Sequence, residues 1–185
     1  MQGLWTVLAT AALLLNLQTA EAVSVGDGEG NAVVLRKTHY AARELQAINF
    51  RKELLTIVNA KRAEKSLGKL CINNKLMVAA QVMANDMAKN NLVSATGSDG
   101  SSPTSRAETQ KYSSTSGVAE LVGAGYETAK DIMDAWIKSA DTSSTIFGNY
   151  THLGPGYTFN KQQMYWNYWA LDFSTAANEG CNDLA

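Results

Sequence analysis

The stretch Leu70–Arg106, LCINNKLMVAAQVMANDMAKNNLVSATGSDGSSPTSR, combines a cysteine, a periodic helix and a polar loop. The apolar side chains that recur at the spacing of one helix face are Leu76, Ala79, Ala80, Met83 and Met87. A short polar side chain at Asn73 or Asn74 suits the N-cap, and Asn90–Asn91 is expected to end the helix. The Ser-, Gly- and Asp-rich loop that follows is expected to face a cleft. The remaining segments are expected to complete a layered domain around this helix.

The amino terminus has the pattern of a secretory signal peptide. Leu4–Leu17 is largely apolar, and Ala20-Glu21-Ala22 has the small-x-small pattern of a cleavage site. We therefore predict a signal peptide over residues 1–22 and a secreted, extracellular protein. No later apolar run is long enough to predict stable membrane insertion. Residues 23–49 are predicted to form a partly mobile N-terminal extension.

Charge and length limit the possible classes of protein. The 185 residues suit one domain with a substantial core. Removing residues 1–22 takes away one of the 17 acidic residues, Glu21, and leaves 16 basic and 16 acidic residues. A net charge near zero argues against nucleic acid as a partner.

The two cysteines, Cys71 and Cys181, would enter an oxidising compartment. A single disulfide is the expected pairing, and it would tie the start of the central helix to the C-terminal tail. A zinc site is the weaker alternative, because neither cysteine has a histidine beside it.

The other segments predict further helices and strands. These are a helix over Ile48–Lys65, a short helical turn from Pro103, a strand or turn over Val118–Gly123, a helix over Ala129–Ser139 that Asp141–Thr145 caps or ends, and strands over Tyr150–Phe159 and Met164–Phe173. The last strand is apolar or aromatic on both faces around residues 165–169, which is typical of a central strand covered on both sides. An α/β fold, a three-layer α-β-α sandwich in a single domain, is therefore expected.

Few residues carry obvious chemistry. His39 and His152 are the only histidines, and the chain has no metalloprotease, Cys-x-x-Cys, phosphate-loop or nucleophile-elbow motif. His152 is expected in a loop without a carboxylate partner, which argues against a hydrolytic triad. It lies beside the sequon Asn149-Tyr150-Thr151, which predicts glycosylation of Asn149 if the source organism glycosylates.

Glu120 is the one notable acid, because it stands within the apolar run Val118–Val122. A buried carboxylate must be hydrogen-bonded, paired, protonated or metal-bound. The simpler interpretation is a structural acid that accepts backbone N–H groups from a loop. The alternative is a working or remnant member of a polar cleft.

Several motifs together resemble a known family. They are Leu55-x3-Asn59-x2-Arg62-x4-Leu67, Leu70–Leu76, Ala79-Ala80-Gln81 with Asp86-Met87-Ala88, Thr96–Gly100 with Arg106, Val118-Ala119-Glu120, Ala135-Trp136, Gly154-Pro155-Gly156-Tyr157 and Tyr168-Trp169-x2-Asp172-Phe173. In this order they resemble the sperm-coating-protein branch of the CAP superfamily, which includes cysteine-rich secretory proteins, insect antigen 5 and plant pathogenesis-related protein 1. The resemblance covers residues 50–174, is strongest to secreted microbial-eukaryote members, oomycete ones especially, and implies an α-β-α sandwich. It leaves residues 175–185 as a C-terminal tail that carries Cys181.

The resemblance also implies a cleft with two histidines and two acids that can hold a divalent metal. Only Glu120 retains a ligand-type side chain here. Ala95 stands at the first-histidine position and Tyr168 at the strand-histidine position. Thr142 stands where this branch of the family often has a histidine, and Ser139 where other branches have the second acid. One carboxylate does not hold zinc, so we predict that the metal site is lost and that no cofactor is bound.

The resulting hypothesis is a secreted, non-catalytic CAP-domain binding protein. Its candidate partners are a sterol or other lipid, wall material, or a host or other extracellular protein. The aromatic residues Tyr165–Trp169 could line an apolar pocket, although such a strand more often belongs to the core. One alternative is a secreted, protease-like hydrolase that uses a residual Glu120 cleft, and another is a structural extracellular protein.

Overall fold

The computed structural model describes residues 50–182. The predicted signal peptide (1–22), the N-terminal extension (23–49) and the last three residues lie outside the described part. Within it, five helices and four strands follow one another. They are α1 (50–63), β1 (Cys71–Ile72), α2 (Asn74–Asn90), α3 (Pro103–Thr109), β2 (Ala119–Ala124), α4 (Ala129–Lys138), α5 (Ala140–Ile146), β3 (His152–Asn160) and β4 (Trp166–Ser174).

Helix α2 has the boundaries that its sequence predicts. The side chain of Asn73 accepts hydrogen bonds from the backbone N–H groups of Lys75 and Leu76, so Asn73 is the N-cap. Asn91 ends the helix in the left-handed conformation at φ 51°, which asparagine tolerates better than most residues. The five predicted apolar side chains are all buried, as the periodicity requires.

The strands form one sheet in the order β1-β3-β4-β2. Strand β3 pairs in parallel with β1 and antiparallel with β4, and β4 pairs antiparallel with β2. The two long strands β3 and β4 are therefore central. This register places Glu120 opposite Asp172, and Asp172 opposite Gly154.

Alternate residues of β4 pack on opposite layers. Tyr168 and Ala170 pack with the buried face of α2, whereas Trp169, Leu171 and Phe173 pack with α1 and α4. Since the sheet is covered on both sides, the predicted three-layer α-β-α sandwich is confirmed. The prediction of a doubly covered strand holds from Asn167 onward but is wrong at its start, because residues 164–166 are exposed.

Two glycines of β3 allow α2 to lie directly on the sheet. A Cβ atom at Gly154 would lie 2.4 Å from the carbonyl carbon of Leu76, and one at Gly156 would lie 2.5 Å from that of Ala80. Neither distance is possible between real atoms. The Gly154-Pro155-Gly156 motif therefore sets the close spacing of helix and sheet.

Two local predictions need correction, and one short strand carries no predictive signal. Asp141–Thr145 does not end α4 but lies within a separate helix, α5, which begins one residue earlier. His152 is not in a loop: it is the first residue of β3, and its side chain is buried. Strand β1, only two residues long, was not predicted, since so short a segment carries no periodic signal.

The predicted disulfide between Cys71 and Cys181 is present, with the Cα atoms 5.5 Å apart and a sequence separation of 110. A crosslink that closes so long a loop contributes about 4–5 kcal/mol on the loop-entropy model. The tail that carries Cys181 is also hydrogen-bonded to the start of α2. The backbone N–H of Asn182 donates to the carbonyl of Ile72 at 2.7 Å, and Lys75 pairs with Glu179 at 2.7 Å.

No helix among residues 50–182 is both long enough and apolar enough to cross a bilayer.

Candidate functional site

Glu120 lies on the edge strand β2, facing the α2 side of the sheet. Its side chain is fully buried, with 0% of its surface exposed. The sequence predicts a buried acid at this position, and the structure confirms it. The partner differs from the one expected, because the contact is a guanidinium group and not the backbone N–H groups of a loop.

That guanidinium group belongs to Arg106 of α3. Ser102 is the N-cap, with its hydroxyl accepting from the backbone N–H of Ser105, and Pro103 is the first residue of the helix. This start places Arg106 in the last turn, with only 4% of its side chain exposed. Its Nη2 donates to Oε2 of Glu120 at 2.8 Å.

Arg106 also holds the loop that follows α2. Nη2 donates to the carbonyl oxygen of Ala95 at 2.9 Å, and Nη1 donates to the carbonyl oxygen of Ser101 at 2.8 Å and its hydroxyl at 3.1 Å. Both ends of the loop therefore bond to one buried cation. The loop predicted to face a cleft is thus linked to Glu120 through the side chain of Arg106.

Asp172 of β4 completes the buried group. It lies directly opposite Glu120 in the antiparallel pair, and its side chain is fully buried. Desolvation raises its pKa well above the ordinary value, and the neighbouring Glu120 carboxylate raises it further. Desolvation also raises the pKa of Glu120, although Asp172 and Arg106 partly oppose this.

The raised pKa values favour a single proton on this pair of carboxyl groups. Among residues 50–182, Oε1 of Glu120 and both carboxyl oxygens of Asp172 have no other hydrogen-bond partner. A protonated Asp172 can donate to Oε1 of Glu120 while Oε2 faces Arg106. One cation, one carboxylate and one neutral acid then give a neutral buried triad, which is the form that a low-dielectric interior favours.

The five positions matched to the family cleft do not converge. Ala95 and Glu120 meet through Arg106, as described above. Tyr168 lies four residues before Asp172 on β4, about 13 Å along the strand, and its hydroxyl donates to Asn91 at 2.7 Å. Thr142 of α5 donates to the carbonyl of Trp136 in the last turn of α4, and Ser139 is exposed between the two helices.

A divalent cation does not fit this arrangement. Oε2 of Glu120 already accepts from a guanidinium group, and a metal ion beside it would be repelled by that charge. Ala95, Thr142, Ser139 and Tyr168 provide no histidine, cysteine or carboxylate. Within the described residues, the one group of three potential ligands is Cys71, His152 and Cys181, and its two sulfurs are bonded to each other.

His152 lies in a different part of the same face. Its Nδ1 is 3.0 Å from the hydroxyl of Tyr112 and 3.1 Å from that of Thr151, and burial lowers its pKa. The register separates it from Glu120 by two strand spacings and two residues, roughly 12 Å. The two side chains contact different groups, since Nδ1 of His152 faces Tyr112 and Thr151 whereas Glu120 faces Arg106.

Sequence reasoning identified Glu120 but missed both of its partners. Arg106 and Asp172 were noticed only as parts of motifs. The available signal for Asp172 was an acid within the apolar strand run Ala170–Phe173, a pattern that also marked Glu120. Only the strand register places the two acids opposite each other.

Comparison with known proteins identifies relatives of this fold. The family model described as CAP, the cysteine-rich secretory protein family, matches residues 55–173. No curated protein matches the chain significantly.

Three solved structures are similar. An outer surface protein of Borrelia burgdorferi is 18% identical, with a TM-score of 0.62 over 69% of this chain and 92% of that one. An SCP-domain extracellular protein of Bacillus anthracis is 17% identical, with a TM-score of 0.60 over 68% and 40%. A cysteine-rich secretory protein of Staphylococcus aureus is 18% identical, with a TM-score of 0.54 over 69% and 38%. This chain thus spans about two fifths of the last two proteins, and these identities show the fold alone.

Proposed function

This chain belongs to the cysteine-rich secretory protein (CAP) family, and we propose that it is a secreted, non-catalytic binding domain. The proposal has two parts. The first is that the residual family site around Glu120 has no catalytic or metal-binding role. The second is that the protein acts outside the cell by binding a lipid, a wall component or another protein.

The observation that carries the first part is the ion pair between Glu120 and Arg106. A general base must reach the proton that it abstracts, yet the side chain of Glu120 is fully buried and one of its oxygens is bonded to Arg106. The other nearby acid, Asp172, is equally buried. His152, the sole histidine within residues 50–182, lies roughly 12 Å from Glu120 by strand spacing. These contacts favour a structural role for the triad.

The amino-terminal sequence and the disulfide support the second part of the proposal, that the protein acts outside the cell. Residues 1–22 have the pattern of a signal peptide, and a disulfide such as Cys71–Cys181 persists in oxidising compartments. Asn149 is exposed between α5 and β3, where an oligosaccharide transferase can reach it. Glycosylation of this sequon remains a prediction.

Zinc calorimetry and a hydrolysis assay on the same purified protein test the proposal. We expect no saturable zinc binding in the micromolar range, and no cleavage of casein or fluorogenic peptides with or without added zinc. Glu120→Gln is the matched variant, because it removes the one family-type ligand while conserving shape. Stoichiometric zinc binding or peptide cleavage that Glu120→Gln abolishes would show that Glu120 is a working residue and would overturn the proposal.

A further inference from the structure

The fold places a histidine beside the disulfide, although no histidine is adjacent to either cysteine in the sequence. Strands β1 and β3 pair in parallel with Cys71 directly opposite His152, so the two side chains project from the same face of the sheet. Cys181 reaches this face from the C-terminal tail. The two sulfur atoms and one ring nitrogen of His152 all lie within 4.8 Å of one another. Side chains from three separate segments therefore converge on one point.

Contacts outside this group hold the imidazole ring of His152. Its Nδ1 lies 3.0 Å from the hydroxyl of Tyr112 and 3.1 Å from that of Thr151. The ring centroids of His152 and Tyr112 are 5.9 Å apart, and His152 is only 4% exposed. Hydrogen bonds to the ring are what orients a histidine that ligates a metal ion. The ring is thus positioned by groups other than the sulfur atoms.

The tail that carries Cys181 is also held independently of the disulfide. On one side of the cysteine, the backbone N–H of Asn182 donates to the carbonyl of Ile72 at 2.7 Å. On the other side, the carbonyl of Gly180 accepts from the side chain of Asn73 at 3.0 Å. Because neither bond involves sulfur, opening the disulfide leaves the thiol of Cys181 next to its former partner.

The three side chains are a donor set that suits zinc. Two thiolates, one imidazole and a water molecule complete the tetrahedral coordination of zinc sites with three protein ligands. With bonds of about 2.0–2.3 Å, such an ion keeps its ligand atoms about 3.5–3.8 Å apart. That spacing lies inside the 4.8 Å spread of this group. The two sulfur atoms, which are bonded to each other, have to separate, and Cys181 is exposed, so water can reach the fourth position.

We propose that Cys71, Cys181 and His152 form a zinc site when the disulfide is reduced, so that this corner of the domain holds either a disulfide or a zinc ion. An external dithiol supplies the two electrons. Its thiolate attacks the sulfur of the exposed Cys181, Cys71 leaves as a thiolate, and the second thiol of the reductant releases Cys181 as the reductant forms its own disulfide. Zinc then takes the place of the thiol protons, which pass to water. The site is separate from Glu120 and goes beyond the proposed binding function.

Zinc titration of the reduced, purified chain tests the inference. The protein is reduced without oxygen by a phosphine, the phosphine is removed, and zinc is added in competition with a chromophoric chelator. We expect one zinc ion per chain, bound more tightly than the micromolar range, and no binding by the disulfide form. Cobalt in place of zinc should give a thiolate-to-cobalt charge-transfer band and the intense visible bands of tetrahedral coordination.

His152→Gln isolates the site, because it keeps both thiols and removes one ligand. It should weaken zinc binding by more than about 100-fold, since loss of an outer-shell partner alone costs about 10–100-fold. Cys181→Ser is a second variant at an exposed residue and should lose the same binding. Glu120→Gln is the matched control and should bind zinc like the parent, because the register places Glu120 roughly 12 Å from His152.

Zinc should also raise the unfolding midpoint of the reduced parent, because it binds the folded state. Absence of zinc binding by the reduced chain, or a reduced chain that stays unfolded in the presence of zinc, would overturn the inference. Equal zinc binding by the parent and His152→Gln would also overturn it, since the thiols would then bind without the histidine. The zinc assay of the proposed function uses the disulfide form and Glu120→Gln, so the two proposals fail separately.

Discussion

Glu120 and Asp172 face each other across strands β2 and β4, and both carboxyl groups are completely buried. Two carboxylates so placed would repel each other strongly in a low-dielectric interior. Arg106 pairs with Glu120, and the raised pKa of Asp172 favours its neutral form. Glu120, Arg106 and Asp172 thus form a buried polar group that joins α3, β2 and β4.

Replacing Arg106 should be strongly destabilising. Arg106→Met leaves two buried carboxyl groups without a cation and releases the loop contacts to Ala95 and Ser101. We expect a loss of about 3–5 kcal/mol in the free energy of unfolding, measured by urea denaturation. Lys130→Met, which breaks the exposed pair with Asp134, is the control and should change little. Equal stability of the two variants would contradict a structural role for Arg106.

The raised pKa of Asp172 predicts how the free energy of unfolding depends on pH. Because the pKa of Asp172 is raised in the folded protein, the folded state binds more protons than the unfolded chain above the ordinary carboxyl pKa of about 4. Its contribution is full below that value and is lost as the pH rises through the folded pKa. Asp172→Asn should remove this loss, so the variant should gain stability relative to the parent as the pH rises.

Urea denaturation of both proteins at about pH 5, 7 and 9 measures that difference. Groups that do not contact Asp172, including His152 and Glu179, are common to both proteins and cancel in the comparison. Glu120 does not cancel, because its pKa depends on Asp172, so the difference reports the titration of the pair. A difference that stays constant with pH would mean that Asp172 titrates normally.

The close approach of α2 to the sheet makes Gly156 sensitive to a single methyl group. In Gly156→Ala the new Cβ would meet the backbone of Ala80, which cannot move without shifting the helix. We expect a loss of about 1–3 kcal/mol by thermal or urea unfolding. Gly68→Ala is the matched control: no atom lies within 4 Å of its Cβ position, so it should be neutral or stabilising by up to about 1 kcal/mol.

At position 166, asparagine should give a more stable protein than tryptophan, because asparagine tolerates the left-handed conformation better. Trp166→Asn relieves backbone strain of about 1–2 kcal/mol and should raise the free energy of unfolding by about 1 kcal/mol, read from the urea midpoint. Met164→Ser, which leaves the backbone alone, should have no such effect. If Trp166→Asn instead unfolds more easily, the indole ring contributes to packing.

The sequence alone determined the elements whose signal is local. The apolar spacing of α2 and a cap at Asn73 or Asn74 predicted the helix, because burial of one face imposes a period on the chain. The apolar and aromatic residues on both faces of β4 predicted a strand covered on both sides. The cysteine pairing followed from there being only two. The acid in an apolar run predicted that Glu120 is buried.

Only the tertiary structure decided what surrounds Glu120 and which residues of the turn between β3 and β4 are exposed. Arg106, Glu120 and Asp172 come from three separate elements, and the periodicity of each element gives its buried face but not its register against the others. Likewise, residues 164–166 have the composition of a core strand, yet they are exposed. Burial depends on which element covers a residue, and α2 ends at Asn90, where the turn before β4 is attached to it.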